Sequence, residues 1–246
     1  MPSLYAGTSG FAYPNWKPGF YPAELPSKKF LEYYSRRLNS VEINYTFRRL
    51  AAGNTLENWV QSTGPGFLFA PKAHQRITHF QQLKDAGEFT AAFLRSIDPL
   101  RATRRLGPIL FQLPPHCRCD LDLLGNFLAQ LPEDLRYAFE FRHTSWLADP
   151  VYRLLEKHGV ALCLAESEKL GAPEVLTAGF VYFRLRKPDY SPEERQAMAA
   201  KARHLLNQGK DVFVYFKHEE TPEGALYAEE LIRHSSSGGP PAPNRS

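Results

Sequence analysis

Cysteine is scarce in this chain of 246 residues: Cys117, Cys119 and Cys163 are all it has. An odd, sparse set is not a disulfide framework, and it points to a reducing compartment. His116-Cys117-Arg118-Cys119 resembles half of a metal site, but no second closely spaced Cys or His pair completes a tetrahedron, so no metal is expected. No apolar run approaches the roughly 18 residues that span a bilayer, and no basic flank and apolar stretch open the sequence. These absences predict a cytoplasmic protein with no membrane partner. A glycine-rich dinucleotide turn is also missing, because Gly7-Thr8-Ser9-Gly10 lacks the G-x-G-x-x-G spacing. No internal sequence repeat is found, and no cofactor is expected.

What is present is a substantial core composition. Apolar residues make up 43% and aromatics 13% of the chain, enough for one domain of α/β-barrel size. The formal net charge of +4 is compatible with anionic ligands without demonstrating nucleic-acid binding. Arginine doublets such as Arg36-Arg37 and Arg48-Arg49 read as solvated faces. The final stretch, 235–246, is rich in Ser, Gly and Pro and reads as a disordered tail after a domain at 1–234.

Eight short β-rich runs recur: Leu4–Gly7, Ser40–Ile43, Phe67–Ala70, Ile109–Leu113, Tyr137–Phe141, Val160–Leu164, Phe180–Leu185 and Val212–Phe216. Between most of them, apolar residues recur at helical spacing, as in Phe30, Tyr34 and Leu38, or Leu124, Phe127, Leu128 and Leu131. Ser191-Pro192-Glu193-Glu194 is a helix start with a capping box, and Gly159 suits a helix C-terminus. Strand then helix, repeated, is the pattern of parallel βα units, and a single TIM-like (β/α) barrel is the expected fold, with an open doubly wound sheet as the alternative.

Parity then locates chemistry. In such a barrel the bulky apolar parity of each strand packs under the helices and the other parity lines the interior. Val41 and Ile43 leave Glu42 and Asn44 inward; Phe67 and Phe69 leave Leu68, Ala70 and Lys72; Phe111 and Leu113 leave Gln112. Tyr137, Phe139 and Phe141 leave Ala138, Glu140 and Arg142. Val181, Phe183 and Leu185 leave Tyr182, Arg184 and Arg186; Val212, Val214 and Phe216 leave Phe213, Tyr215 and Lys217. Each inward series turns polar late, so the expected mouth at the C-terminal strand ends holds Glu42, Asn44, Lys72, Gln112, Glu140, Arg142 and Arg184. Glu166 has outward parity and is expected in the loop just beyond its strand.

Two carboxylates among cations can divide acid and base roles when their environments push their pKa values apart, and Glu42 and Glu140 are the candidates. Lys72, Arg142 and Arg184 would hold an anionic or phosphate-containing ligand, with Asn44, Gln112, His143 and Trp146 completing the binding residues. Glu140 and Arg142, two apart on one strand, could instead pair with each other. Two other readings compete. A metal-dependent phosphodiesterase or endonuclease-like barrel would draw on His74, His116, His143 and His218 with Glu42, Glu140 and Glu166. A non-catalytic nucleic-acid binder would stack bases on Tyr13, Trp16 and Trp146.

The residues just named resemble the YecE-like family, domain of unknown function 72. The resemblance rests on Gly7-Thr8-Ser9-Gly10-Phe11 with Tyr13, Trp16 and Phe20-Tyr21-Pro22; on Val41-Glu42-Ile43-Asn44 with Thr46 and Phe47; and on Phe69-Ala70-Pro71-Lys72 with Thr78-His79. It continues through Gly107-Pro108-Ile109-Leu110, Gln112-Leu113-Pro114-Pro115, Glu140-Phe141-Arg142-His143 with Ser145-Trp146, and Tyr182-Phe183-Arg184. It implies a TIM barrel of unassigned activity. Two departures add positive charge near the mouth: Leu185-Arg186-Lys187 stands where the family usually has His-Gly after the arginine, and Lys217-His218 where it usually has asparagine.

Overall fold

The computed structural model describes residues 1–166 and 174–236. Its strands are β1 (Leu4–Thr8), β2 (Ser40–Ile43), β3 (Leu68–Pro71), β4 (Ile109–Gln112), β5 (Tyr137–Glu140), β6 (Ala161–Ala165), β7 (Phe180–Leu185) and β8 (Asp211–Phe216). Helices fill the connections: α1 (Phe30–Arg37), α2 (Tyr45–Arg48), α3 (Gly53–Gln61), α4 (Gly87–Ser96), α5 (Asp98–Ala102), α6 (Leu121–Leu128), α7 (Asp149–Lys157), α8 (Pro192–Asn207) and α9 (Glu223–Ser236). All pairings are parallel, in the order β1-β8-β7-β6-β5-β4, with β2-β3 as a second ladder.

Isolated bridges join the two ladders into a TIM-like barrel. Ser9 pairs with Glu42 on one side, and Phe69 with Leu106 and Lys72 with Leu110 on the other. At the β1/β2 seam the Asn39 side-chain amide stands in for a strand: its Oδ1 accepts from Ala6 N at 2.8 Å and its Nδ2 donates to Leu4 O at 2.7 Å. This satisfies backbone groups that would otherwise be buried unpaired. The seam is tight enough that a Cβ on Gly7 would lie 1.9 Å from Ser40 O, which is why glycine stands there.

The parity rule holds through the core. One cluster, with Ala70, Leu110, Ala138, Cys163, Tyr182, Phe213 and Tyr215, fills the barrel interior; a larger one, with Val41, Phe69, Phe111, Phe139, Val181 and Val214, packs beneath the helices. Burial of this larger apolar layer between sheet and helices favours the closed barrel.

The local signals form as expected at Ser191, whose hydroxyl accepts from Glu194 N while the Glu194 carboxylate accepts from Ser191 N. Gly159 takes φ +63 and closes α7. Three strand starts move by one residue: β8 opens earlier, at Asp211, while β6 and β3 open later because helix and turn closures claim Val160, whose N donates to Leu155 O, and Phe67, whose N donates to Gly64 O. The last helix runs to Ser236, past the expected boundary at 234, and residues 237–246 of the expected tail lie outside the described residues. No described helix is long and apolar enough to cross a membrane.

Candidate active site

Above the aromatic plug of the barrel, side chains from five strands converge on one ion cluster. Arg184, on β7, lies at its centre and reaches both acids: Nη2 donates to Glu42 Oε1 at 2.7 Å and Nη1 to Glu140 Oε2 at 2.5 Å. Glu42, from β2, also accepts from Ser9 Oγ and from the Tyr182 hydroxyl, each at 2.7 Å. Glu140, from β5, accepts on Oε1 from Gln112 Nε2 at 2.9 Å, Arg142 Nε at 2.9 Å and Arg186 Nη2 at 2.6 Å. Glu42, Glu140 and Arg184 are 0%, 1% and 2% exposed. Burial of this kind is tolerated only because each charge meets several opposite or polar partners.

The electrostatics follow from the packing. Burial would raise the Glu140 carboxyl, but the Arg184, Arg186 and Arg142 guanidiniums outweigh it and hold the group well below the ordinary carboxylate range. Burial would lower Arg184, and Glu42 and Glu140 more than reverse that, so it stays charged. Lys72, after β3, is different. Burial and then the Arg184 charge lower its amine to about 8, against the opposing pull of Glu42 and Glu140, with Arg142 lowering it further. Its Nζ lies 4.1 Å from the Phe47 ring centre. It forms no ion pair with the described residues.

The cluster therefore holds two anions against four potential cations. Arg142 uses only Nε within it, and its other guanidinium nitrogens have no hydrogen bond to the described residues. The Nε atoms of Arg184 and Arg186 are buried and unpartnered among the described residues. Donors thus exceed acceptors at the C-terminal ends of the parallel strands, an arrangement chemically able to receive an anion.

Of the residues expected at the mouth, Glu42, Lys72, Gln112, Glu140, Arg142 and Arg184 converge. Asn44 follows β2 at the start of α2, its backbone carbonyl bonded to Phe47 N. Two further expected binding residues lie in the loop after β5. Trp146 is buried, stacks on Phe141 at 4.6 Å and donates Nε1 to Cys117 O at 2.8 Å, so it anchors the loop after β5. His143 caps the turn Thr144–Trp146, its Nδ1 accepting from Ser145 N at 3.1 Å. Trp16 is likewise buried, so neither it nor Trp146 is open to stack on a base, while half-buried Tyr13 donates its hydroxyl to Ser9 O and lies 4.9 Å from the Trp16 ring.

The histidines expected for a metal stay apart. His74 accepts from Arg76 N, His116 meets Gln82, and His218 is buried beside Tyr190 and Tyr227. Among the described residues no three His, Cys, Asp or Glu side chains gather as ligands. Glu166 sits just beyond β6, where it accepts from Arg186 N at 2.6 Å, from Lys187 N at 3.1 Å and from the Tyr190 hydroxyl.

Sequence reasoning placed Arg186 inward but left it out of the mouth, and it did not single out Ser9, Tyr182 or Phe47. Inward parity was a usable signal for Tyr182 and Arg186. Of the two departures near the mouth, Arg186 joins the cluster, whereas Lys217 turns outward, 3.7 Å from Glu219.

The sequence profile described as "Protein of unknown function DUF72" matches residues 5–245. The UPF0759 protein YunF of Bacillus subtilis is 26% identical over 266 residues, covering 93% of each chain. A crystal structure of a DUF72 family protein from Thermotoga maritima superposes with a TM-score of 0.83 at 26% identity, over 94% of this chain and 98% of that one. Another, from Enterococcus faecalis, gives 0.75 at 17% identity over 95% and 98%, a likeness of fold.

Proposed function

For a chain that belongs to the DUF72 family, a family with no assigned activity, we propose an enzyme that binds a small phosphorylated or carboxylate-bearing substrate at the barrel mouth. The observation that carries this reading is the surplus of guanidinium donors: Arg142 and Arg186 both lean on one Glu140 oxygen and keep further N–H groups for a ligand. Planar, always-charged guanidiniums suit bidentate capture of a phosphate or carboxylate.

In this reading the two glutamates are not the proton-transfer pair. Glu140 is held ionised by three guanidiniums, which makes it a weak base and no acid at neutral pH. Glu42 has both oxygens occupied by Ser9, Tyr182 and Arg184. Their work is to fix the arginines so that little reorganisation is needed when the anion arrives. Mass spectrometry of protein purified in volatile buffer tests this: an anion released on denaturation of the wild type, and missing from Arg142→Ala, supports it. A wild type that carries no anion and gains no thermal stability from any of a panel of phosphomonoesters and dicarboxylates would overturn it.

A second reading, nucleic-acid binding, is favoured by one surface feature. Tyr45 and Phe80 are exposed on the loops after β2 and β3, Phe80 by 72%, and the Arg49 guanidinium lies 5.1 Å from the Tyr45 ring centre. Arg48, Arg49 and Arg76 form no ion pairs with the described residues. Exposed aromatics among unpaired cations can stack and neutralise single strands. Binding of short oligonucleotides at low salt, reduced in Phe80→Ala, is the result this reading requires; indifference to all of them removes it.

A further inference from the structure

Among the described residues, Lys72 is the one cation of the mouth without an ion pair, and its placement suits covalent chemistry better than charge pairing. Its backbone is pinned on both sides: Lys72 N donates to Ile43 O at 3.0 Å, Lys72 O accepts from Thr46 Oγ1 at 2.8 Å, and the residue bridges to Leu110. The side chain is thus delivered from a fixed point at the end of β3. The Phe47 face below it replaces water, while the two acids nearby are already saturated by Arg184, Arg142 and Arg186.

From this geometry we infer that Lys72 is a nucleophile that forms a Schiff base with the carbonyl carbon of an aldehyde or ketone substrate, whose phosphate or carboxylate is held by Arg142 and Arg186. The inference rests on the anion-binding reading for the second half of that sentence only. The neutral Nζ lone pair adds to the carbonyl carbon, a C–N bond forms, and the C=O electron pair moves onto oxygen, which takes up a proton while nitrogen loses one. The resulting hydroxyl takes a second proton from solvent and leaves as water while the nitrogen lone pair forms the C=N bond, giving a protonated Schiff base in which nitrogen keeps its remaining hydrogen. No oxidant or reductant takes part.

The surroundings supply what those steps need. Burial and the positive charges of Arg184 and Arg142 lower the amine to about 8 despite Glu42 and Glu140, so a useful neutral fraction exists near pH 7. His79 packs against the same Phe47 ring in a T-shaped contact, centroids 4.9 Å apart, with Nδ1 2.9 Å from Thr78 Oγ1. Burial first, then Lys72, Arg142 and His116, lower its pKa, leaving a neutral imidazole that can carry protons between the carbinolamine oxygen and water.

The experiment is reductive trapping. The protein is incubated with glycolaldehyde phosphate or with glycolaldehyde, each with sodium cyanoborohydride, and the adduct is located by peptide mass mapping. The expected result is one dominant adduct, on Lys72, formed at about tenfold lower concentration of the phosphorylated probe, with exposed Lys28 and Lys84 as internal references. Lys72→Arg and Lys72→Gln, checked for native melting behaviour, should lose the adduct. In Arg142→Ala the preference for the phosphorylated probe over glycolaldehyde should disappear.

Equal labelling of Lys72 and the surface lysines overturns the inference. If inorganic phosphate raises the melting temperature yet Lys72 stays unlabelled, the nucleophile is wrong and the anion site stands. If Lys72 is labelled selectively but equally by both probes, with no response to phosphate, the nucleophile stands and the anion site falls.

Discussion

Arg184 and Glu42 are 142 residues apart in the chain and 2.7 Å apart in the fold, and the same guanidinium holds Glu140 with its other arm. A buried cation that satisfies two buried acids makes those acids depend on it. Arg184→Met should therefore destabilise the fold by about 3–5 kcal/mol, because the buried Glu42 carboxylate is left without a cation while Glu140 keeps only Arg142 and Arg186. Chemical denaturation monitored by tryptophan fluorescence measures it; a loss below about 1 kcal/mol would mean that water reaches the acids freely.

Acid should weaken the fold through Glu140. Its folded-state pKa is depressed, so the stabilisation is complete above the unfolded carboxylate value of about 4.3 and is lost as pH falls from there towards the folded value. The unfolded chain binds the proton first, and stability falls. Melting curves from pH 6 down to pH 3 should show a steep loss in the wild type, and a shallower one in Glu140→Gln, which starts from a lower stability.

Lys72 gives a slope of the same sign in a more alkaline window. Its folded-state pKa, about 8, lies below the unfolded lysine value of about 10.4, so between those values the unfolded state binds more protons and stability rises with pH. Lys72→Met should flatten that slope. Denaturation midpoints at pH 7.5, 8.5 and 9.5 check it, since equal slopes in the two proteins would mean a fully hydrated amine.

How much of this was legible beforehand depends on where each residue sits. Glu42, Lys72, Gln112, Glu140, Arg142 and Arg184 were readable because strand parity is a rigid rule: once Val41, Phe111 and Phe139 are known to face the helices, their neighbours must face the interior. Loop residues obey no such period. Trp146 and Trp16 look like ligand platforms in the sequence, and only tertiary packing shows that Phe141 and Phe20 with Tyr21 have claimed them. The pairing of Arg186 with Glu140 was equally hidden, since it depends on how the chain leaves β7 under the hold of Glu166. The stoichiometry of the cluster was hidden for a related reason: inward parity says that acids and bases meet, not how many guanidiniums each acid receives.

Trp146 offers a check of that packing. Trp146→Ala should cost about 3–5 kcal/mol through the cavity beneath the loop after β5, where stacking on Phe141 and the bond to Cys117 O are lost. Phosphate affinity should change by less than about threefold when measured under conditions where the variant is folded. A large loss of affinity with unchanged stability would return Trp146 to the ligand site.

The central claim is that the barrel mouth is a preorganised anion site, and calorimetric titration of inorganic phosphate tests it most directly. Saturable binding to the wild type, weakened at least about tenfold in Arg142→Ala while the melting temperature moves by only a few degrees, is the predicted result. No heat of binding at millimolar phosphate and low ionic strength, or binding of equal strength in the variant, would contradict it.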